Sequence, residues 1–261
     1  MIKFRHIFGF LKFKELYLKE AFKEQDAISV RDLYDYWVRT EGLSNRGTVD
    51  WRIHDLKQKK VLQEIKNGWY TFSVKPVYAP APDRVHVKLD KILRQNYRNV
   101  RYSIWNMNWL NEFSVHQFNR ENLLVEIEKD LQDSLRDLLE QEGFIDIAWS
   151  IGNQRMQFSG IKNPIFILPL LSRAPIREVT IDRKAYPIPS LEKILVDIYQ
   201  NDTLFYFLQG AELQRIFENA LSKYAINFTT LFGYAKRRNK EKWLKNYVKN
   251  NLPFLPKIVT E

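Results

Sequence analysis

The sequence has no cysteine, which excludes disulfide bonds, thiolate metal sites and a thiol nucleophile. No run of about 18 apolar residues occurs, so we expect no membrane-spanning helix. Motifs of the form G-x-x-x-x-G-K-[ST], G-x-G-x-x-G and H-E-x-x-H are also missing. We therefore expect no cofactor and no metal, and a cytoplasmic location is compatible with the lack of cysteine. The few histidines show no metal-ligand spacing and are His6, His54, His86 and His116.

Positive charge is in excess, with 41 Lys and Arg against 31 Asp and Glu, a net charge of +10. An excess of this size favours polyanionic partners, either nucleic acid or an anionic membrane surface. The stretch 235–249 is the most basic and contains a single acid, Glu241. This stretch is either a binding patch or the solvated face of a terminal helix. Its basic residues are Lys236, Arg237, Arg238, Lys240, Lys242, Lys245 and Lys249.

The first 60 residues predict three helices. Ser29 and Asp32 have the spacing of a capping box, which places the start of the second helix at Ser29. Gly42 is expected to end that helix, and Leu43 and Ser44 to form the turn that follows. The predicted elements are a helix at 10–25, a short strand at 27–28, a helix from Ser29 to about Gly42 and a helix at about 45–60.

The third predicted helix has one apolar stripe, formed by Val49, Ile53 and Leu56. A rotation of about 100° per residue turns a polar face away from that stripe. Side chains of these types suit contacts with base edges, and the helix start suits phosphate contacts. Trp51 also fits a core or interdomain position. The opposite face carries Thr48, Trp51, Asp55 and Gln58, with Arg52 and His54 on its flanks and Asn45 and Arg46 at the helix start.

Asn67-Gly68 lies between two strand-like runs and predicts a β-hairpin in which both turn residues have positive φ. Three helices followed by a hairpin give the order of a winged helix-turn-helix, so we expect a DNA-binding domain at residues 1–75. These residues carry 15 Lys and Arg against 10 Asp and Glu, or +5. The tip of the wing presents Lys66 and Asn67 to the DNA backbone or minor groove. Winged domains also bind proteins, so a protein-interaction module stays open as an alternative.

A proline-rich linker is predicted at 76–83, followed by a larger domain at 84–261. Its patterns mix helix and strand, so the fold class is α+β, with a small mixed sheet and a helical C-terminus. A break in the C-terminal helices is expected around Gly233. The predicted helices are 85–96, 131–142, 191–199 and most of 202–248, with a helical turn at 108–113, and the predicted strands are 100–105, 123–127, 144–150 and 165–170.

A metal-dependent nuclease is a second alternative, because Glu126, Glu128 and Lys129 lie together in VEIEKD at the end of a predicted strand. Clustered carboxylates with a lysine can hold Mg²⁺ and orient a water molecule. However, Glu126 and Lys129 are three residues apart, which puts them on opposite faces of a regular strand. Asp197 suits a structural helix residue better than a general base. We therefore favour a protein that is not an enzyme.

Three segments resemble the AbiEi-type antitoxins of abortive-infection toxin–antitoxin systems. The first is SNRGTVDWRIHDL with NGWYTF, and the second is VRYSIWNMNWLNEFSVHQ, which ends at Gln117. The third is YPIPSLEKILVDI. The likeness covers most of the chain in short pieces, and the longer N-terminal helix suggests a divergent member. In the third segment the residues that carry the resemblance are Pro189, Ser190, Glu192, Leu195 and Asp197.

The resemblance implies two activities and a winged helix followed by an α+β antitoxin domain. One activity is repression of transcription through binding to inverted repeats of double-stranded DNA in the protein's own promoter. The other is antagonism of a nucleotidyltransferase-like toxin. The DNA-binding activity also follows from the residues themselves, whereas the antitoxin activity follows from the resemblance alone.

Overall fold

The computed structural model describes residues 15–43, 45–117, 122–149 and 164–261. Residues 10–14 of the first predicted helix, Ser44 of the predicted turn and Ser150 of a predicted strand lie outside these ranges. The fold is mixed α+β, with small sheets and a helical C-terminus. In the described ranges, no helix has the length and apolar character needed to cross a bilayer. The chain forms two compact units: Met1–Val77, Lys223–Gly233 and Lys245–Glu261 make the first, and Tyr78–Ser222 and Tyr234–Leu244 make the second.

The N-terminal part of the first unit follows the predicted order of elements. A capping box between Ser29 and Asp32 starts the second helix, and Gly42, with a φ of 65°, ends it. The strands form an antiparallel sheet in the order β1-β3-β2. The elements are α1 (15–21), β1 (Ile28–Ser29), α2 (Val30–Glu41), α3 (Arg46–Gln58), β2 (Gln63–Lys66) and β3 (Trp69–Thr71).

The predicted apolar stripe of α3 faces the core of this unit, since Val49, Ile53 and Leu56 are all buried. The turn of the hairpin differs from the prediction. Gly68 has a φ of 74°, but Asn67 is not among the residues with positive φ. The register shifts between Glu64 and Lys66, so an irregularity in β2 closes the hairpin together with one left-handed glycine.

The second unit is built on a four-stranded sheet in the order β4-β5-β7-β6. β4 is antiparallel to β5, whereas β5, β7 and β6 are mutually parallel. Helices α4 and α5 contribute Leu89, Leu93, Leu135 and Leu139 to its core. The elements are α4 (Arg84–Asn96), β4 (Ser103–Asn106), β5 (Leu123–Ile127), α5 (Gln132–Gln141), β6 (Ile147–Trp149), β7 (Ile165–Pro169), β8 (Ile176–Ile181), β9 (Lys184–Pro189), α6 (Leu191–Gln200) and α7 (Ala211–Lys223), with a 3-10 turn at Met107–Glu112.

Two features of the C-terminal half differ from the prediction. The β8–β9 hairpin was not predicted, because its turn uses Asp182 and Arg183, with φ values of 50° and 63°, and contains no glycine. Gly233 does not break a helix but lies inside α8 (Phe228–Arg237). The interruption comes later, before α9 (Glu241–Asn251), where Asn239 has a φ of 57°.

The chain after α7 also departs from the predicted domain at 84–261. Lys223–Gly233 and Lys245–Glu261 belong to the first unit. Within that unit the backbone N–H of Ala225 donates to the carbonyl of Pro76 at 2.9 Å. Such a contact joins residues far apart in sequence, and local patterns carry no signal for it.

His86 is a fully buried histidine on α4 in the second unit. Its ring stacks on Trp109 at 5.9 Å between centroids and meets Tyr186 edge-on at 6.1 Å. Burial lowers the pKa of His86 to about 4, against the opposing effect of Asp83 and Asp90. The imidazole is therefore neutral in the folded protein at neutral pH.

This depressed pKa predicts a loss of stability in mild acid. The unfolded chain takes up a proton near its ordinary pKa of about 6.5, whereas the folded chain does so only near 4. Stability is therefore present above pH 6.5 and falls as the pH drops from there towards 4. By linkage the free energy of unfolding should drop by about 2 kcal/mol between pH 7 and pH 5 from this group. Urea unfolding of the wild type and of His86→Phe at both pH values measures the free energy of unfolding. An equal decrease in both proteins would show that His86 is not the group responsible.

Candidate nucleic-acid interface

Part of the predicted polar face of α3 is open to solvent. Trp51, at the middle of the helix, is 65% exposed. Asn45 accepts a hydrogen bond from the N–H of Gly47 at 2.8 Å and so caps the helix. This face is therefore available to a partner. Other exposed side chains of α3 are His54 and Gln58 on this face, Arg46 at the helix start, and Asp50.

Three predicted contact residues are less available than expected. Arg52 donates to Glu41 at 2.8 Å, and its guanidinium lies 5.5 Å from the ring centre of Trp37. Asp55 accepts from Lys59 at 2.6 Å. Thr48 is half-buried. Arg52 therefore holds α3 to α2, and Asp55 is engaged within the last turn of α3. Neither these two residues nor Thr48 is a proposed base contact.

A depression of about 330 Å³ separates the first turns of α2 and α3. Arg31 and Arg46 line it, one from each helix, together with Val30, Tyr34, Val49 and Asp50. The side chain of Arg31 is 89% exposed, and its contact with Asp35 is long, at 3.9 Å. The structure thus brings together two exposed guanidinium groups near two helix N-termini. Arg46 was predicted, whereas Arg31 was missed, although its place just after the capping residue of α2 could have indicated it.

A second hollow lies on the other flank of α3, between this helix and α1. Its volume is about 260 Å³. Its charges are matched, since Lys59 contacts both Asp55 and Glu15, and Arg52 contacts Glu41. The exposed ridge of α3 therefore stands between a depression with two arginines and a hollow with paired charges.

The tip of the hairpin is held by the C-terminal segments of the same unit. Lys66 Nζ donates to the carbonyl of Ile258 at 2.7 Å. The backbone N–H of Asn67 donates to Thr229 Oγ1 at 2.7 Å, while the Asn67 side chain stays exposed. Lys66 is thus not the freely projecting contact that we predicted. Thr229 and Ile258 were missed because they lie more than 150 residues further along the chain.

The acidic residues of the nuclease alternative do not come together. Glu126 is buried in β5, and Glu128 and Lys129, just after the strand, are exposed. Glu126 accepts a short hydrogen bond from Lys193 on α6. No group of three or more His, Asp or Glu side chains able to hold a metal is found among the residues that the structure describes.

Lys193 is fully buried and also donates to Asp197 at 2.5 Å. Tyr234 Oη donates to the second oxygen of Asp197 at 2.9 Å. Burial raises the pKa of Glu126 despite the nearby ammonium group. Burial alone lowers the pKa of Lys193, but Asp197 and Glu126 outweigh this effect and raise it. The arrangement is a buried ion network that joins β5 to α6 and α8.

The residues that carry the family resemblance occupy several different places. Asp197 belongs to the ion network, Ser190 caps α6, and Leu195 is in the core. Pro189 ends β9 and Glu192 is half-buried in the first turn of α6. Gln117 is exposed and donates to the carbonyl of Asn111 at 3.0 Å. The structure therefore places most of this motif in the packing of α6, with Gln117 elsewhere.

The model of a family described as a family of unknown function (DUF6577) matches residues 48–253, which is most of the chain. No curated protein matches the sequence.

We predict that Thr229→Val loosens the hairpin tip. The substitution keeps the shape of the side chain and removes the oxygen that accepts the Asn67 N–H. A lost hydrogen bond of about 1 kcal/mol corresponds to roughly fivefold faster amide exchange at Asn67. Hydrogen exchange followed by NMR measures it, and Thr229→Ser, which keeps the hydroxyl, should restore the wild-type rate. Unchanged exchange in the valine variant would show that this hydrogen bond does not form in solution.

We also predict that Lys193→Met strongly destabilises the second unit. The variant leaves Glu126 and Asp197 buried without their shared cation, which costs about 3–5 kcal/mol. Lys184→Met is a matched control, because Lys184 pairs with Asp90 at 3.1 Å but its side chain is 42% exposed. Adding Glu126→Gln to Lys193→Met should recover part of the loss. Similar denaturation midpoints for Lys193→Met and Lys184→Met would argue against the network.

Proposed function

We propose that this chain, which belongs to the DUF6577 family of unknown function, is a sequence-specific binder of double-stranded DNA. In this proposal the first unit acts as a winged helix-turn-helix. The supporting observation is the pair of exposed arginines, Arg31 and Arg46, on one depression between the starts of α2 and α3. Arginines bind phosphates well, and helix N-termini favour anions. A DNA strand laid across this depression meets both guanidinium groups.

α3 is then the helix that enters the major groove. Its outward side chains include groups that bond to base edges, above all Gln58 and Asp50. Trp51 supplies a large apolar surface beside them. Asp50 was not in the predicted set, and it replaces Asp55, which is bonded to Lys59.

Repression of its own promoter and control of a nucleotidyltransferase-like toxin complete the proposal. Both follow from the resemblance to AbiEi-type antitoxins, and the toxin-related activity is assigned to the second unit on that basis alone. The nuclease alternative is disfavoured by the burial of Glu126 against Lys193. The protein-interaction alternative gains some support from the exposure of Trp51, and the following experiment separates it from DNA binding.

We expect Arg31→Ala and Arg46→Ala each to weaken binding to the DNA upstream of the gene. Each variant removes about one phosphate contact, so the slope of log K against log salt should become shallower by about 1. Fluorescence anisotropy with a labelled promoter fragment at several salt concentrations gives both affinity and slope. Arg39→Ala is the matched control, because Arg39 lies at the other end of α2 and is exposed.

Wild-type affinity and slope in both arginine variants would contradict the assigned surface. A wild-type protein that binds no DNA at low salt but co-purifies with another protein would replace DNA binding by the protein-interaction alternative.

A further inference from the structure

Among the described residues of the first unit, the C-terminal segments Lys223–Gly233 and Lys245–Glu261 carry most of the net positive charge. Its described N-terminal residues, 15–77 without Ser44, carry 11 Lys and Arg against 10 Asp and Glu, or +1. Lys223–Gly233 and Lys245–Glu261 carry 4 Lys against 1 Glu, or +3. Affinity for DNA depends mainly on cations that contact phosphate. Among the described residues, the helices and the hairpin are therefore nearly neutral, and the C-terminal segments carry most of the net positive charge.

Many cations of the N-terminal part are also engaged with carboxylates. Ion pairs join Lys57 to Glu64 at 2.7 Å and Lys59 to Asp55 at 2.6 Å, besides the pair of Arg52. Lys257, in contrast, is exposed, and no ion pair with a carboxylate is found for it among the described residues. It opens the 3-10 turn Lys257–Val259 near the end of the chain.

This C-terminal turn lies against the hairpin. The carbonyl of Ile258, the residue next to Lys257, accepts the hydrogen bond from Lys66 Nζ at 2.7 Å. Val259 is fully buried and anchors the turn. Asn67, at the hairpin tip, is bonded to Thr229 of the other C-terminal segment. The hairpin and the turn therefore form one surface with two neighbouring lysines, Lys66 and Lys257.

We propose that the turn Lys257–Val259 is the second half of the wing, and that Lys257 binds a DNA phosphate beside the hairpin. The inference rests on the proposed function of the first unit. Lys66 holds the turn through one N–H of its ammonium group, and Lys257 projects from the turn into solvent. Because the turn is already fixed, only the Lys257 side chain loses conformational freedom when DNA binds.

The test compares Lys257→Gln with Lys60→Gln in the full-length protein. Both substitutions remove one positive charge and keep a long polar side chain. Lys60 is an exposed lysine before β2, at the end of the hairpin away from its tip. Binding of the labelled promoter fragment is measured over a series of salt concentrations, with Arg46→Ala alongside.

Lys257→Gln should weaken binding and make the salt slope shallower by about 1, whereas Lys60→Gln should leave the slope unchanged. Equal slopes for Lys257→Gln and the wild type, with a shallower slope for Arg46→Ala, would overturn the composite wing and leave DNA binding by α2 and α3 intact. Equal effects of the two lysine variants would show a general charge effect and would also overturn it. Absence of DNA binding by the wild type would overturn both proposals together.

Discussion

The inward packing of Val49, Ile53 and Leu56 is the constraint on which the proposed interface depends. These side chains are 1%, 4% and 6% exposed. Successive residues of a helix turn by about 100°, so fixing three of them inward also fixes which side chains point outward. A rotation of α3 by one residue would move a charged side chain such as Arg52 into the core. The outward position of Trp51 and Gln58 is therefore set by the core and not by any contact on the surface.

The hairpin tip adds a second, long-range constraint. Lys66 and Asn67 are each bonded to residues of the C-terminal segments, at 2.7 Å in both cases. A short hairpin alone is only marginally stable in water, and such anchors restrict its motion. In the proposed DNA-binding unit, the hairpin tip is therefore held by segments from the C-terminal part of the chain. The proposed contact surface differs from that of a hairpin projecting alone. Lys66 is bonded to the C-terminal turn, and the exposed lysine on that turn is Lys257.

Local signals were sufficient for most of the individual helices and strands. Capping by Ser29 and Ser190, and the left-handed glycine after α2, act within a few residues and are visible in the sequence. The β8–β9 hairpin was not predicted, because its turn residues Asp182 and Arg183 have positive φ although neither is a glycine. The hydrogen bonds of Lys66 and Asn67 were not predicted, because only the tertiary structure brings Ile258 and Thr229 close to them. In the proposed interface, the outward positions of Trp51, His54 and Gln58 on α3 thus followed from helical periodicity, whereas the contacts of the hairpin tip did not.

The VEIEKD segment shows why an acidic pattern at a strand end can mislead. β5 has neighbours on both edges, and all its residues are buried. An ionised carboxylate in such a strand is unfavourable unless a cation accompanies it. Lys193 meets this need for Glu126, and Asp197, one helical turn further on, shares the same cation. These charges are paired with one another inside the second unit, whereas Arg31, Arg46 and Lys257 of the first unit face solvent. The acidic pattern of VEIEKD thus reflects charge pairing inside the second unit and gives no support to the nuclease alternative.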